Sequence, residues 1–397
     1  MLNLVDYLYI AWLTYLPFSL KAFYHYIVDK DGFEAKPGPH SANTNPFIIF
    51  QYTTRGQHAD VVAKGIESVN KACANNHYTS YRIDVITDGT TDNYDAKIIR
   101  VPDAFTTTNG TKKKARALQY AVEEHREQGH STSATWIWHM DEESIVTDQS
   151  VVAVLDYIGK RGKPVAEGPI VYSNKFMRKN ILPSLVECCR PYQCYECMHM
   201  MTGNSVPTFI HGSNLLVRSD IEDAVGWDFG DSLTEDQRFG YEAHKKFGAV
   251  FGWHGGMVVE QPPLNVKDTF RQRRRWAAGS RQNLKFMPLK DRIYQSARLL
   301  SWAAGFVSGI VTFAIWIFQG TVPFILQPVF FMQNVLWVLG YEAGFRETYK
   351  WMDVSRVKKV ILHALIIVIL PIVSLMDCLP AFVGIITGKS GWKVTPK

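Results

Sequence analysis

The chain has 397 residues, a net charge of +6 and a mean hydropathy of −0.09. That length suits one large domain or two ordinary ones. With no zinc-finger spacing, no RNA-binding aromatic signature and no long basic stripe, a nucleic-acid partner is excluded. Basic residues gather instead at Lys112–Lys114, at Arg271–Arg275 and beside apolar segments, a pattern suited to phosphates and anionic lipid headgroups.

In chain order, Leu2 to Leu20 is apolar and aromatic. It lacks a basic leading region and a small-residue cleavage site, so it reads as a membrane anchor within residues 1–30 or as a helix lying on the membrane, not as a signal peptide. A globular region is expected over 40–288. Phe47-Ile48-Ile49-Phe50 predicts a buried strand, and Ala59 to Cys73 a helix. Tyr81 to Thr87 predicts a second strand, closed by the turn-rich Asp88-Gly89-Thr90-Thr91-Asp92. Lys112 to Glu127 predicts a helix. Thr135 to Met140 predicts a third strand that runs into Asp141, Val151 to Tyr157 a helix, Pro164 to Tyr172 extended chain, and Glu235 to Phe247 a further helix. Strands alternating with helices predict an α/β class with a largely parallel sheet, whose ligands bind at the carboxyl ends of the strands. Asp88 and Asp141 both fall at such ends.

The six cysteines lack the spacing of a secreted disulfide framework, and Cys194-x-x-Cys197 has no second pair to complete a zinc site, so free thiols are expected. Asn109-Gly110-Thr111 is a formal glycosylation sequon, expected to be unused because the lysine run after it is placed in the cytosol.

The last hundred residues change character. Leu299 to Phe318, Val322 to Leu339 (interrupted by Pro323 and Pro328) and Val360 to Ile386 (broken by Pro371, Asp377 and Pro380) are candidate spans, giving a transmembrane region over 297–397. Lysines and arginines flanking the segments place the globular part in the cytosol, as an integral membrane protein. Three spans put the basic tail Lys389–Lys397 outside, against the same rule, unless Val360 to Ile386 bends back at its prolines.

Four short motifs carry chemistry: Thr87-Asp88-Gly89, Asp141-Glu142-Glu143, Thr234-Glu235-Asp236 and Gln272 to Trp276. Asp141 and Glu143 at a strand mouth offer hard oxygen ligands for Mg²⁺ or Mn²⁺ on a diphosphate; alone, such a triplet reads equally as a solvated turn. Glu235-Asp236 opens a helix, where an acidic turn complements the dipole, and Asp236 is also positioned to act as a general base for an acceptor hydroxyl. In Gln272-Arg273-Arg274-Arg275-Trp276, Arg275 suits a bidentate diphosphate clamp and Trp276 a stacking platform for a sugar ring. The competing reading is a basic face at the membrane interface, which keeps weight for Arg271, Arg273 and Arg274. Lys114 and Arg116 are further phosphate candidates. Together the motifs point to transfer of a sugar from a nucleotide diphosphate at a membrane.

These residues resemble the family 2 inverting glycosyltransferases, and most of all the Egghead-type β-1,4-mannosyltransferases. The likeness rests on Thr53-Thr54-Arg55-Gly56, Val85-Ile86-Thr87-Asp88, Lys114 to Tyr120, Trp138 to Ser144, His211-Gly212-Ser213-Asn214, Glu235-Asp236 and Gln272 to Trp276. It implies a GT-A fold, a Rossmann-like mixed sheet, with an N-terminal anchor and C-terminal transmembrane helices. It implies donor contacts from Thr54, Arg55, Asp88, Lys114, Arg116, Asp141, Gln272 and Arg275, with Glu235 and Trp276 toward the acceptor. Asp236 would be the base, and Asp141 and Glu143 would hold the metal. The implied donor is a nucleotide-sugar, GDP-mannose or a UDP-sugar, and the acceptor a lipid-linked or glycan hydroxyl. A processive polysaccharide synthase is the alternative, and a membrane scaffold or transporter the alternative of another class. Asp-Glu-Glu replaces the usual Asp-x-Asp, and Lys175 to Pro207 has no firm match.

Overall fold

The computed structural model describes residues 13–35, 45–89, 94–173, 180–203, 210–318, 322–352 and 354–388, without the side chains of 308, 309 and 311–318. The chain divides into two compact units. One comprises Asp31–Ile170 and Cys197–Glu260; the other Met1–Lys30, Val171–Glu196 and Gln261–Pro396.

The first unit is built on β1 (Phe47–Thr54), β2 (Tyr81–Thr87), β3 (Lys97–Arg100), β4 (Thr135–Asp141), β5 (Val165–Glu167), β6 (Ile170–Val171), β7 (Leu215–Arg218), β8 (Phe251–Trp253) and β9 (Val258–Val259). Seven of these form one sheet in the order β3-β2-β1-β4-β7-β5-β8, while β6 pairs with β9. Phe47 to Phe50 takes a central place because it is apolar on both faces, as a strand covered on both sides must be. The helix Ala59–Asn75 lays Val62, Ile66, Val69 and Cys73 on one face of the sheet, at helical spacing. The helix Lys113–Glu127 contributes Leu118 and Val122 to a separate core with Trp227 and Phe239.

Register decides what meets at the sheet's working edge. The parallel pairs align Thr54 with Thr87 and Thr53 with Asp141, so three strands end level. β7 runs antiparallel to both β4 and β5, pairing Leu215 with His139 and with Glu167. The segment entering β7, His211 to Asn214, is thereby delivered to the edge where Asp141 and Glu167 end. Six of the seven strands run the same way, so the sheet is largely parallel as strand–helix alternation predicts, and mixed as the resemblance implies. The one reversed strand is β7, which follows the helices Ile181–Glu187 and Arg190–Thr202 in the chain.

The second unit is helical: Leu16–Val28, Ile181–Glu187, most of Arg190–Thr202, Val266–Asn283, Leu289–Phe318, Gln327–Tyr349 and Arg356–Thr387. Two of its stretches, Phe324–Tyr349 and Arg356–Thr387, are long and apolar enough to cross a membrane. The expected first span, Leu299 to Phe318, lies in a 30-residue helix whose later side chains fall outside the described residues. Most of the proposed anchor Leu2 to Leu20, and the tail 389–397, also lie outside them.

Two expectations about prolines are corrected. Pro328 starts the helix Gln327–Tyr349 instead of interrupting a span, since its missing N–H costs nothing in the first turn, and the helix runs ten residues past Leu339. Arg356–Thr387 continues unbroken through Pro371 and Pro380. Both prolines are buried, where neighbouring helices support the interrupted ladder.

Candidate active site

After β4 the chain turns sharply. Ser144 N–H donates to Asp141 O at 3.1 Å, and Asp141 N–H donates to Ser144 Oγ at 3.0 Å. Behind the turn Tyr52 OH donates to Ser144 O at 3.1 Å. Gly65 makes room for this contact: a Cβ there would lie 2.7 Å from the Tyr52 ring and 3.0 Å from Ser144 O. Ile145 then forms an antiparallel bridge with Val259, exchanging hydrogen bonds of 2.9 and 3.0 Å. This bridge brings in Glu260, the residue after β9.

Glu260 accepts from Ser213 Oγ and, at 3.2 Å, from Ser144 Oγ. Asp141, Glu143 and Glu260 each present an oxygen within 4.8 Å of the others. Glu142 is turned elsewhere and accepts from Thr54 Oγ1 at 2.8 Å. Burial first, and then the charge of Asp141, raises the Glu260 carboxyl to about 7. A divalent cation fits this set: the donors are hard oxygens, and a cation relieves the repulsion that raises Glu260.

Lys114 contacts Asp141 Oδ1 and donates to Gly212 O at 3.2 Å. Burial opposes its charge, but Asp141, Glu235 and Asp236 outweigh burial and its pKa is raised. It is a fixed cation at physiological pH. Asp236 opens the helix Glu235–Phe247 and accepts the N–H of Gln237 at 2.8 Å. Gly212 leaves the space between the two open: a Cβ there would sit 3.1 Å from Asp236 Oδ2 and 3.2 Å from Lys114 Nζ. Glu235, beside it, is buried.

The support under Gly212 is polar and closed. Glu167, fully buried at the end of β5, accepts the N–H of His211. Burial holds its carboxyl well above the usual range. Asn214, at φ 55°, takes Trp138 Nε1–H at 3.0 Å and donates to Pro169 O at 2.9 Å and Gly256 O at 2.8 Å. His254 packs against this lattice with Nε2 3.3 Å from Asn214 O, and burial depresses its pKa to about 3.

The remaining expected residues separate. Arg55 and Asp88 are exposed at the ends of β1 and β2. These two ends touch closely, since a Cβ on Gly89 would come 2.3 Å from Arg55 O. Arg116, expected to bind phosphate, instead donates to the carbonyls of Pro102, Phe105 and Asp103 and lies over the Phe105 ring. Its planar fork fits that turn of carbonyls. Gln272, Arg275 and Trp276 belong to the helical unit. There Arg273, read as part of an interfacial face, is buried between Glu187 and Asp377, donating to Asp377 Oδ1 at 2.6 Å. The guanidiniums of Arg273 and Arg190 lie over the Trp276 ring, at 4.4 and 4.6 Å from its centre. No disulfide joins any of the six cysteines.

Sequence reasoning missed Glu260, Glu167 and the spacing role of Gly212. The signal for Glu260 was slight: a two-valine strand ending in an acid before Pro262-Pro263.

A mixed α/β sheet with carboxylates gathered at one strand edge defines a GT-A type of glycosyltransferase fold. The chain belongs to glycosyl transferase family group 2, whose family model matches residues 136–345. It is 27% identical over 269 residues to the β-1,4-mannosyltransferase egh of Drosophila melanogaster, covering 65% of this chain and 57% of that one. It is 28% identical over 245 residues to the β-1,4-mannosyltransferase bre-3 of Caenorhabditis briggsae, covering 59% and 52%. The chain thus spans about half the length of the curated relatives it matches. Its fold is similar to that of the mannosyltransferase PcManGT from Pyrobaculum calidifontis, solved in complex with GDP-Man and Mn²⁺. The two share 11% identity and a TM-score of 0.51 over 97% of this chain and 99% of that one.

Proposed function

We propose that the chain is a membrane-bound, cation-dependent inverting mannosyltransferase that moves mannose from GDP-mannose to a lipid-linked or glycan hydroxyl in β linkage. The observation that carries this reading is the convergence of Lys114 and Asp236 on Gly212, with Lys114 in contact with Asp141. A positive side chain, a carboxylate base and a metal-type carboxylate set then share one strand edge. The activities named for the curated relatives favour mannose, and the complex of the archaeal enzyme favours a guanosine diphosphate donor.

Asp141, Glu143 and Glu260 would hold Mg²⁺ or Mn²⁺, which when bound supplies positive charge against the diphosphate of the donor. Lys114 adds a fixed positive charge beside them. Asp236 takes the proton of the acceptor hydroxyl as that oxygen bonds to the anomeric carbon; the bond from that carbon to the diphosphate breaks on the opposite face. Gly212 keeps Asp236 and Lys114 close without filling the space between them. Thr54, Arg55 and Asp88 line the donor side of this reading, and Glu235 the acceptor side. Residues 40–288 form the catalytic portion, facing the cytosol, and 1–30 and 297–397 the membrane portions. Cysteines without disulfides and basic flanks support that orientation.

The test is a donor screen. Purified full chain receives GDP-mannose, UDP-glucose, UDP-N-acetylglucosamine or UDP-glucuronate, each with Mn²⁺ or Mg²⁺, and released nucleoside diphosphate is measured. Release from GDP-mannose alone is expected. Release from a UDP-sugar alone would replace mannose in the reading, and release from none would remove it.

A further inference from the structure

The helical unit contains a cavity of about 100 Å³ that sugar transfer at the strand edge does not use. Rings form much of its wall: Tyr15, Phe18, Tyr192, Trp302, Trp337 and Tyr341. Among the polar side chains that also line it, the ionic ones and Gln333 are in two different conditions. Glu196 is charge-compensated, since it contacts Arg298 and accepts from Tyr294 OH at 2.9 Å. Asp377 is likewise compensated, accepting from Arg273 Nε at 2.6 Å and Trp302 Nε1 at 2.9 Å. Gln333 is different. It is 1% exposed, and its Oε1 has no hydrogen-bond partner among the described residues.

A buried amide oxygen without a donor is costly, and it calls for a hydroxyl or N–H from a ligand. The acids in the wall are already neutralised, so an ionic ligand would bring in a charge with no counterpart. Aromatic faces suit the C–H faces of a sugar ring or an alkyl chain. Gln333 and Trp337 come from one of the two helices that are, among the described residues, long and apolar enough to cross a membrane, and Asp377 and Cys378 from the other. A bilayer would present amphiphiles to such helices.

We propose that this cavity binds the uncharged, hydroxylated head of an amphiphile, with a hydroxyl donating to Gln333 Oε1 and the rest packed on the ring wall. The site needs neither nucleotide-sugar nor cation, so it stands or falls separately from the transferase reading.

The experiment uses full chain transferred from detergent into amphipol. It is titrated calorimetrically with octyl glucoside, 1-octanoylglycerol or octylphosphocholine, each below its micellar concentration. Both neutral heads are expected to bind and the zwitterion not to. The tighter of the two neutral ligands distinguishes a glycosyl from a glyceryl source. Gln333→Leu should weaken the neutral ligands roughly tenfold, the scale of one lost hydrogen bond, while leaving nucleotide-sugar binding unchanged. Equal binding of all three ligands, binding of none, or full affinity in a folded Gln333→Leu protein would overturn the proposal. The comparison of head groups on the unaltered chain decides even where the variant does not fold.

Discussion

Ile145 and Val259 exchange both of their backbone hydrogen bonds, and this one bridge sets Glu260 beside Asp141 and Glu143. The residues joined are 114 positions apart in the chain, since 259 minus 145 is 114. A single two-residue contact thus turns an acidic turn into a three-carboxylate cluster, and the proposed cation site depends on it.

Glu260→Gln should therefore weaken Mn²⁺ binding by at least roughly 10–100-fold, the range seen when even supporting groups of metal sites are lost. Transfer should fall with it and recover partly at high Mn²⁺, and excess EDTA should abolish it in the unaltered protein. Titration of Mn²⁺ by electron paramagnetic resonance reads the affinity directly. Unchanged affinity in the variant would remove Glu260 from the set.

Asp236→Asn keeps the shape of the helix start but removes the base. Transfer should drop roughly 100-fold or more, the usual scale of general base catalysis, with donor affinity little changed. Donor binding and turnover measured side by side separate the roles. Lost donor binding would assign Asp236 to the diphosphate shell instead.

Gly212→Ala inserts a methyl 3.1 Å from Asp236 Oδ2 and 3.2 Å from Lys114 Nζ. Both side-chain ends can give way, so the protein should fold. Their displacement by a fraction of an ångström should lower turnover on the order of 10–100-fold, because base and acceptor must be aligned. A normal rate with normal melting would show that the spacing is not used.

Arg273→Met strands Glu187 and Asp377 in the helical unit. Breaking a buried pair on one side costs about 3–5 kcal/mol. The expected readout is a clearly lowered melting temperature of the full chain, partly restored by adding Glu187→Gln. A variant as stable as the parent would mean that water reaches these acids.

His254 supplies a pH signature. Its folded pKa of about 3 lies below the unfolded value of 6.5. Between those values the unfolded chain binds the extra proton, so stability rises with pH there. The contribution is fully present above pH 6.5 and is lost as pH falls toward 3, with a limiting slope of about 1.4 kcal/mol per pH unit. His254→Gln should flatten that part of the stability profile in chemical denaturation between pH 4 and 6.5. An unchanged slope would place the titration elsewhere.

Much of the fold was legible because its signals are local. The run Phe47 to Phe50 is apolar on both faces and could only be a covered strand. The helix Glu235–Phe247 was bounded correctly because an acidic turn opens it and a glycine follows it. Asp141 was placed at a strand end because Trp136 to Met140 before it is apolar but for His139. Asp236, Lys114 and Asp141 could be named one by one, since each sits at an element end that a sequence marks.

Tertiary structure decided what no local pattern encodes. The reversal of β7 places Gly212 between Lys114 and Asp236, and strand direction depends on partners distant in sequence. Glu260 joined the cluster through a bridge, and Arg116 left the expected set because nearby carbonyls fit its fork better. Arg273 and Asp377, read from sequence as a surface arginine and a helix-breaking acid, are one buried ion pair. Charge and apolarity are properties of residues, whereas compensation is a property of pairs. Only the folded chain specifies the pairs.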